Sequence, residues 1–212
     1  MNKSECKIFL VDDDSEIRQS ISLLLQSSGY QVLTFENTDD LLVNKKYEGC
    51  GCILLDVFLD GKTSLSLQEE IETKFECLPI IFITGQGNIP MSVEAMKKGA
   101  SNFLQKPIDE NELSNAIEEA IKRSHALIIK QKEIEKFKSI VNSLTAREYE
   151  IFCYIITGML NKQIAYELGI AEHTVKNHRL KITEKLGVKS VAEMVYIAEK
   201  LSIKGATTNN NL

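Results

Sequence analysis

Five short apolar runs, each followed by an amphipathic stretch, fill the N-terminal half of the chain and leave little choice of fold. The pairs are Lys7 to Val11 then 15–27, Gln31 to Phe35 then 38–48, Cys52 to Leu55 then 66–76, Pro79 to Ile83 then 90–98, and Asn102 to Leu104 then 109 onward. Strand-length runs alternating with helical periodicity predict five βα units, hence a parallel sheet covered on both faces. Gly29 and Gly99 stand where left-handed caps would end the first and fourth helices. In open sheets of this kind ligands bind beyond the carboxyl ends of the strands, so those ends are where chemistry is sought.

There the sequence puts Asp12, Asp13 and Asp14 after the first strand, Asp56 after the third, Thr84 after the fourth, and Lys106-Pro107 after the fifth. Clustered carboxylates repel unless a cation joins them, and hard oxygen donors on an open sheet edge suit Mg²⁺. With that charge neutralised, Asp56 can attack phosphorus and form an aspartyl-phosphate, while Lys106 and Thr84 stabilise the added oxygens. Taken singly, each residue reads as a turn or a helix N-cap, and either Asp14 or Ser15 is expected to cap the first helix. It is the recurrence at successive strand ends that singles the set out.

Residues 5–122 resemble the receiver domain of two-component response regulators. The likeness rests on Phe9-Leu10-Val11-Asp12-Asp13, on Asp56 after Ile53-Leu54-Leu55, on Ile83-Thr84-Gly85, and on Phe103-Leu104-Gln105-Lys106-Pro107. The resemblance implies a flavodoxin-like (βα)5 fold in which Asp12, Asp13, Asp56 and the backbone carbonyl of Phe58 hold Mg²⁺. It implies that Asp56 accepts the phosphoryl group of a histidine kinase, that Thr84 and Phe103 form a switch pair, and that the Lys106–Pro107 bond is cis. The loop after Asp56 departs from the family, with Asp60 and Ser64 where Pro and Gly are usual. A receiver fold working without phosphorylation is therefore the alternative. A rival enzyme reading, a haloacid-dehalogenase-type phosphatase, would need an acid two residues after Asp56, and position 58 is Phe.

Charge separates the two ends of the chain. Residues 1–122 carry 11 Lys and Arg against 21 Asp and Glu, net -10; residues 123–142 carry 5 against 2, and residues 143–204 carry 9 against 7. An acidic front domain thus precedes a mildly basic rear one, consistent with a nucleic-acid partner there. From Glu112 to about Val141 no Gly or Pro interrupts the helical pattern. Leu113, Ile117, Ala120, Ser124, Leu127, Gln131, Ile134, Lys138 and Val141 keep a 4-3 spacing, readable as a weak coiled-coil connector or a solvated linker.

Beyond it, Thr145-Ala-Arg-Glu148 is a capping box opening a helix to Gly158, and Asn161 caps a second helix, Lys162 to Leu168. A third starts at Ala171 and runs to Leu186, and Ser190-Val-Ala-Glu193 is a capping box for a fourth. Four short helices with a Gly-containing turn between the second and third describe a helix-turn-helix. At about 100° per residue, Val175, His178, Ile182 and Leu186 fall within a stripe of about 80°, the expected buried face. The opposite face offers Lys176, Asn177, Leu180 and Lys181 to base edges, a thymine methyl and phosphates.

Residues 143–201 resemble the LuxR-type output domain through Leu144-Thr145-Ala146-Arg147-Glu148, Asn161-Lys162-Gln163-Ile164-Ala165, Thr174-Val175-Lys176-Asn177-His178 and Lys185-Leu186-Gly187-Val188. The two likenesses together imply the NarL/FixJ class: an α/β receiver at 1–122, a helical linker at 123–142 and an all-α helix-turn-helix domain at 143–204; residues 205–212, with three consecutive asparagines, read as a disordered tail. They imply a phosphorylation-controlled transcription regulator, not an enzyme turning over a metabolite. Lys162, Thr174 and Arg179 are implied near phosphates of double-stranded DNA, and the last helix in a homodimer interface.

Other functions find no support in the sequence. The uncharged stretch Cys77 to Val93 is broken by prolines and glycines and cannot span a membrane. Ile8 to Val11 is too short for a signal-peptide core, and five cysteines is an odd count, so a reducing cytoplasm is expected. Cys50-Gly51-Cys52 lacks a second pair and reads as free thiols before a buried strand.

Overall fold

A computed structural model describes residues 3–59, 62–85 and 89–206. The chain divides into two units, with the boundary between Lys130 and Gln131. In the first, β1 (Lys7–Val11), β2 (Gln31–Phe35), β3 (Gly51–Asp56), β6 (Ile80–Thr84) and β7 (Asn102–Gln105) form one parallel sheet in the order β2-β1-β3-β6-β7. The side chains obey the two-residue period of a strand. Ile8, Leu10, Cys52, Leu54, Ile81 and Ile83 face one layer, while Phe9, Val11, Ile53, Leu55, Ile80 and Phe82 face the other. Each such burial contributes about 1.5–3 kcal/mol, and two covered faces explain why the runs are continuously apolar.

The helices follow from local signals. Asp14 caps α1 (Ser15–Ser27), its Oδ1 accepting from the Glu16 and Ile17 N–H groups at 2.9 and 3.2 Å. Gly29 and Gly99 have φ of 90° and 106°, the left-handed conformation expected after α1 and after α4 (Ile89–Lys97). The second helix is shorter than its pattern: α2 (Thr38–Val43) stops where Asn44 turns extended, ψ 154°. The third begins late, because Ser64–Leu67 form a 3-10 turn ahead of α3 (Gln68–Lys74). Before that turn, β4 (Phe58–Leu59) and β5 (Lys62–Thr63) make a small antiparallel hairpin that strand periodicity did not signal.

The fifth helix, α5 (Glu110–Asn142), is uninterrupted. The first four positions of its expected seam, Leu113, Ile117, Ala120 and Ser124, are buried in the first unit. They are spent on covering the sheet and leave only the distal positions for any coiled coil. Ser124 is fully buried: its hydroxyl accepts from Gly51 N–H at 3.2 Å and donates to the Cys77 carbonyl at 2.7 Å. Gly51 is required there, since a Cβ would stand 2.0 Å from the Lys7 carbonyl oxygen. Burial pushes the Cys50 thiol up to about 12, reinforced by contact with Cys6, and raises Cys52 as well.

The second unit packs α6 (Ala146–Ile155), α7 (Asn161–Leu168), α8 (Glu172–Leu186) and α9 (Val191–Lys200) around Ile151, Phe152, Ile155, Ile164, Val175, Ile182 and Met194. The Ala206 N–H donates to the Cys153 carbonyl at 3.0 Å; residues 207–212 of the expected tail lie outside the described residues, as does Asp60. No described helix is long and apolar enough to cross a membrane.

Candidate functional site

The register of the sheet aligns the carboxyl ends. Val11 is opposite Leu55, Asp56 opposite Ile83, and Thr84 opposite Gln105, so Asp12, Asp56, Thr84 and Lys106 emerge along one edge. Oxygens of Asp12, Asp13 and Asp56 lie within 4.8 Å of one another. Asp12 and Asp56 are buried, Asp13 is exposed, and Lys106 Nζ sits between the buried pair, 2.7 Å from Asp12 Oδ2 and 2.5 Å from Asp56 Oδ2. Thus 94 positions of sequence separation close to one hydrogen bond.

Each group is held from behind. Asp12 Oδ1 accepts from Asp14 N–H at 3.0 Å, Asp56 Oδ1 accepts from Phe58 N–H at 2.9 Å, and the Arg18 guanidinium donates to the Asp12 carbonyl. Lys106 is anchored by its own N–H on the Thr84 carbonyl at 2.7 Å, and its bond to Pro107 is cis. Burial pushes the Asp12 carboxyl up, and the ammonium of Lys106 pulls against it. Burial likewise opposes the charge on Lys106, but hydrogen bonds to Asp12 and Asp56 outweigh it, so the lysine stays protonated.

Thr84 is fully buried and Phe103 half-buried on the neighbouring strand. Ser64, a departure from the usual receiver pattern, is 3% exposed. Its hydroxyl donates to the Asp56 carbonyl at 2.6 Å and its N–H to the Val57 carbonyl at 2.8 Å, tying the hairpin loop back to the third strand. Sequence reading missed this role because a polar residue in a loop carries no sign of burial. Phe58 presents no carboxyl two residues after Asp56, as the phosphatase reading would need.

In the second unit, Val175, Ile182 and Leu186 are buried, as the stripe predicted, whereas His178 at its edge is only half-buried. Lys176, Asn177, Leu180 and Lys181 are exposed on the other side of α8, and Lys162 is exposed on α7. Thr174 and Arg179 are half-buried. Arg179 donates to Asn161 Oδ1 at 2.8 Å and lies 3.4 Å from the Met159 carbonyl, which joins α8 to the start of α7. Asn161 is therefore the first residue of α7, and Leu160 holds the cap position. The capping box at Thr145 is complete, and Glu148 also receives Lys185 Nζ at 2.6 Å. At Ser190 the box is half made: Ser190 accepts from Glu193 N–H, whereas Glu193 turns to Lys189 N–H.

Comparison with known proteins agrees with both units. Residues 8–118 match the family described as response regulator receiver domain, and residues 142–198 the family described as bacterial regulatory proteins, luxR family. The chain is 38% identical to the response regulator protein TmoT of Ectopseudomonas mendocina, over 95% of this chain and 91% of that one. It is 32% identical to the transcriptional regulatory protein FixJ of Bradyrhizobium diazoefficiens, over 90% and 93%. The solved structure of the response regulator StyR aligns with a TM-score of 0.74 at 40% identity, covering 92% of this chain and 99% of that one.

Proposed function

The chain belongs to the two-component response regulators that join a receiver domain to a LuxR-type DNA-binding domain, and on that premise we propose that phosphorylation of Asp56 by a histidine kinase controls its engagement of double-stranded DNA. The observation that carries the site assignment is the Lys106 ammonium bridging Asp12 and Asp56, with Asp13 in the same cluster. These oxygens fit a hard cation, and the lysine now supplies the positive charge they need. Asp12, Asp13, Asp56 and the Phe58 carbonyl would hold Mg²⁺, which when bound neutralises the carboxylates and the incoming phosphoryl oxygens.

The chain's own residues do the rest. An Asp56 oxygen attacks phosphorus, the phosphorus–nitrogen bond to the kinase histidine breaks, and the imidazole leaves with the electron pair. Phe58 N–H and Lys106 orient the attacking carboxylate, and Lys106 can then bond a phosphoryl oxygen. Thr84, at the neighbouring strand end, is the hydroxyl that would follow the new charge, with Phe103 filling the space beside it. Such a two-state surface, biased by local charge, is how the signal would leave the site and favour a homodimer. In the second unit Lys176, Asn177, Leu180 and Lys181 would enter the major groove, with Lys162, Thr174 and Arg179 toward the backbone.

Incubation with Mg²⁺ and acetyl phosphate, read by intact mass, tests the assignment. Wild type is expected to gain one phosphoryl group and Asp56→Asn none; an equal adduct in the variant would move the site elsewhere. A chain that sediments as a monomer at tens of micromolar whether or not it is phosphorylated would refute coupling to dimerisation. The same DNA affinity in both states would favour a receiver working without phosphate.

A further inference from the structure

At the opposite edge of the sheet from the carboxylates, three soft donors meet that the sequence separates by up to 119 positions. Cys6 precedes β1 and Cys50 precedes β3; because Lys7 is registered with Gly51, the two cysteines stand side by side, with sulfurs 2.9 Å apart. A ring nitrogen of His125, from α5, lies within 4.8 Å of both sulfurs. Cys6 and Cys50 are 1% and 8% exposed. His125 Nε2 is buried and has no hydrogen-bond partner. That nitrogen is a strong polar group hidden from water, and such groups are almost always satisfied.

We propose that Cys6, Cys50 and His125 form a binding site for a thiophilic d10 metal ion, with three-coordinate Cu⁺ the occupant that fits. Two thiolates and an imidazole are soft to borderline donors and select Cu⁺ or Zn²⁺ over Mg²⁺, which keeps this site chemically separate from the carboxylate cluster. Structural zinc takes four ligands. Among the described residues, only these three cysteine, histidine or carboxylate donors gather here. Loading exchanges two S–H bonds for two sulfur–metal bonds and adds one nitrogen–metal bond, releasing two protons with no change of oxidation state.

The alternative use of paired thiols, a disulfide, leaves the histidine unexplained and requires an oxidant to reach sulfurs buried beneath α5. Metal binding uses all three residues. It would also pin His125 to the sheet next to Ser124, which already ties α5 to β3 and to the Cys77 carbonyl. Occupancy would therefore report on, and stabilise, the seating of α5 through mass action.

The test is competition for Cu⁺ between the reduced full-length chain and a chromogenic chelator under anaerobic conditions. Wild type is expected to withdraw one equivalent and to show thiolate-to-copper charge-transfer absorption. Cys6→Ala and Cys50→Ala should each abolish retention, His125→Ala should weaken it about tenfold or more, and Cys153→Ala should leave it unchanged. His125 is partly exposed, so its replacement keeps the fold, which a thermal melt verifies. The proposal is overturned if the chelator keeps all the copper, or if the Cys6 and Cys50 variants retain it. It is equally overturned if Zn²⁺ is held in preference to Cu⁺, or if the chain forms a Cys6–Cys50 disulfide in mild peroxide while ignoring copper when reduced.

Discussion

Replacing Glu148 by Gln should destabilise the second unit by about 2 kcal/mol at neutral pH, with an effect that fades in acid. The carboxylate is buried at 4% exposure, where its Oε2 accepts from Thr145 N–H at 2.8 Å and from Lys185 Nζ at 2.6 Å. Those bonds, the lysine's first, hold its pKa at about 2 instead of the ordinary 4.5. At about 1.4 kcal/mol for each tenfold change in proton affinity, the gap is worth at most about 3.5 kcal/mol. Lys185 is 36% exposed, and solvent screening brings that to about 2. The folded pKa lies below the unfolded one, so the stabilisation is complete above pH 4.5 and is lost as the pH falls from 4.5 toward 2. Glutamine can still accept from Thr145 N–H but carries no charge for Lys185. Urea titrations at several pH values, read on the methyl resonances of Ile151, Ile155, Ile164 and Ile182, isolate this unit. A wild-type advantage that stays constant down to pH 3, or one below about 0.5 kcal/mol at pH 7, would refute the charge argument and leave only a cap.

Ser124→Ala should cost the first unit about 2–3 kcal/mol in urea unfolding, because it strands the buried Gly51 N–H and takes the donor from the Cys77 carbonyl. Gly51→Ala should cost more than about 3 kcal/mol by the same measurement, since the added Cβ meets backbone and not a flexible side chain. Asn177→Ala should weaken binding to a target duplex by about 1–3 kcal/mol while sparing random DNA in a fluorescence titration. Lys162→Ala should weaken both and lower the salt slope by about one.

The sheet and its first helix were legible because strand and helix periods are local properties. β1, β2 and α1 fall on the same residues as their sequence patterns, and Asp14 caps as its type suggests. The convergence of Asp12, Asp56, Thr84 and Lys106 was legible because a parallel sheet puts all carboxyl ends on one edge. What stayed hidden depends on register or burial across the fold. Nothing near Cys50 in the chain announces Cys6 or His125, which reach it only through the pairing of β1 with β3 and the seating of α5. The heptad-like spacing from Leu113 was ambiguous because a helix lying on a sheet and a helix lying on its twin bury similar stripes. Arg179, placed near phosphates by the family resemblance, directs a guanidinium nitrogen to Asn161, a pairing of residues 18 apart that no helical period reports.

The buried hydroxyl of Ser124 also constrains how such a gene can be rearranged. A recombination breakpoint at the end of the receiver homology, before residue 123, would graft a foreign residue onto the position that satisfies Gly51 and Cys77. Exchange of output modules between relatives should therefore succeed only downstream of Ile128, an α5 side chain still packed against the core of the first unit. The inherited module is longer than the domain it encodes, by the turns of helix that carry this serine and Ile128.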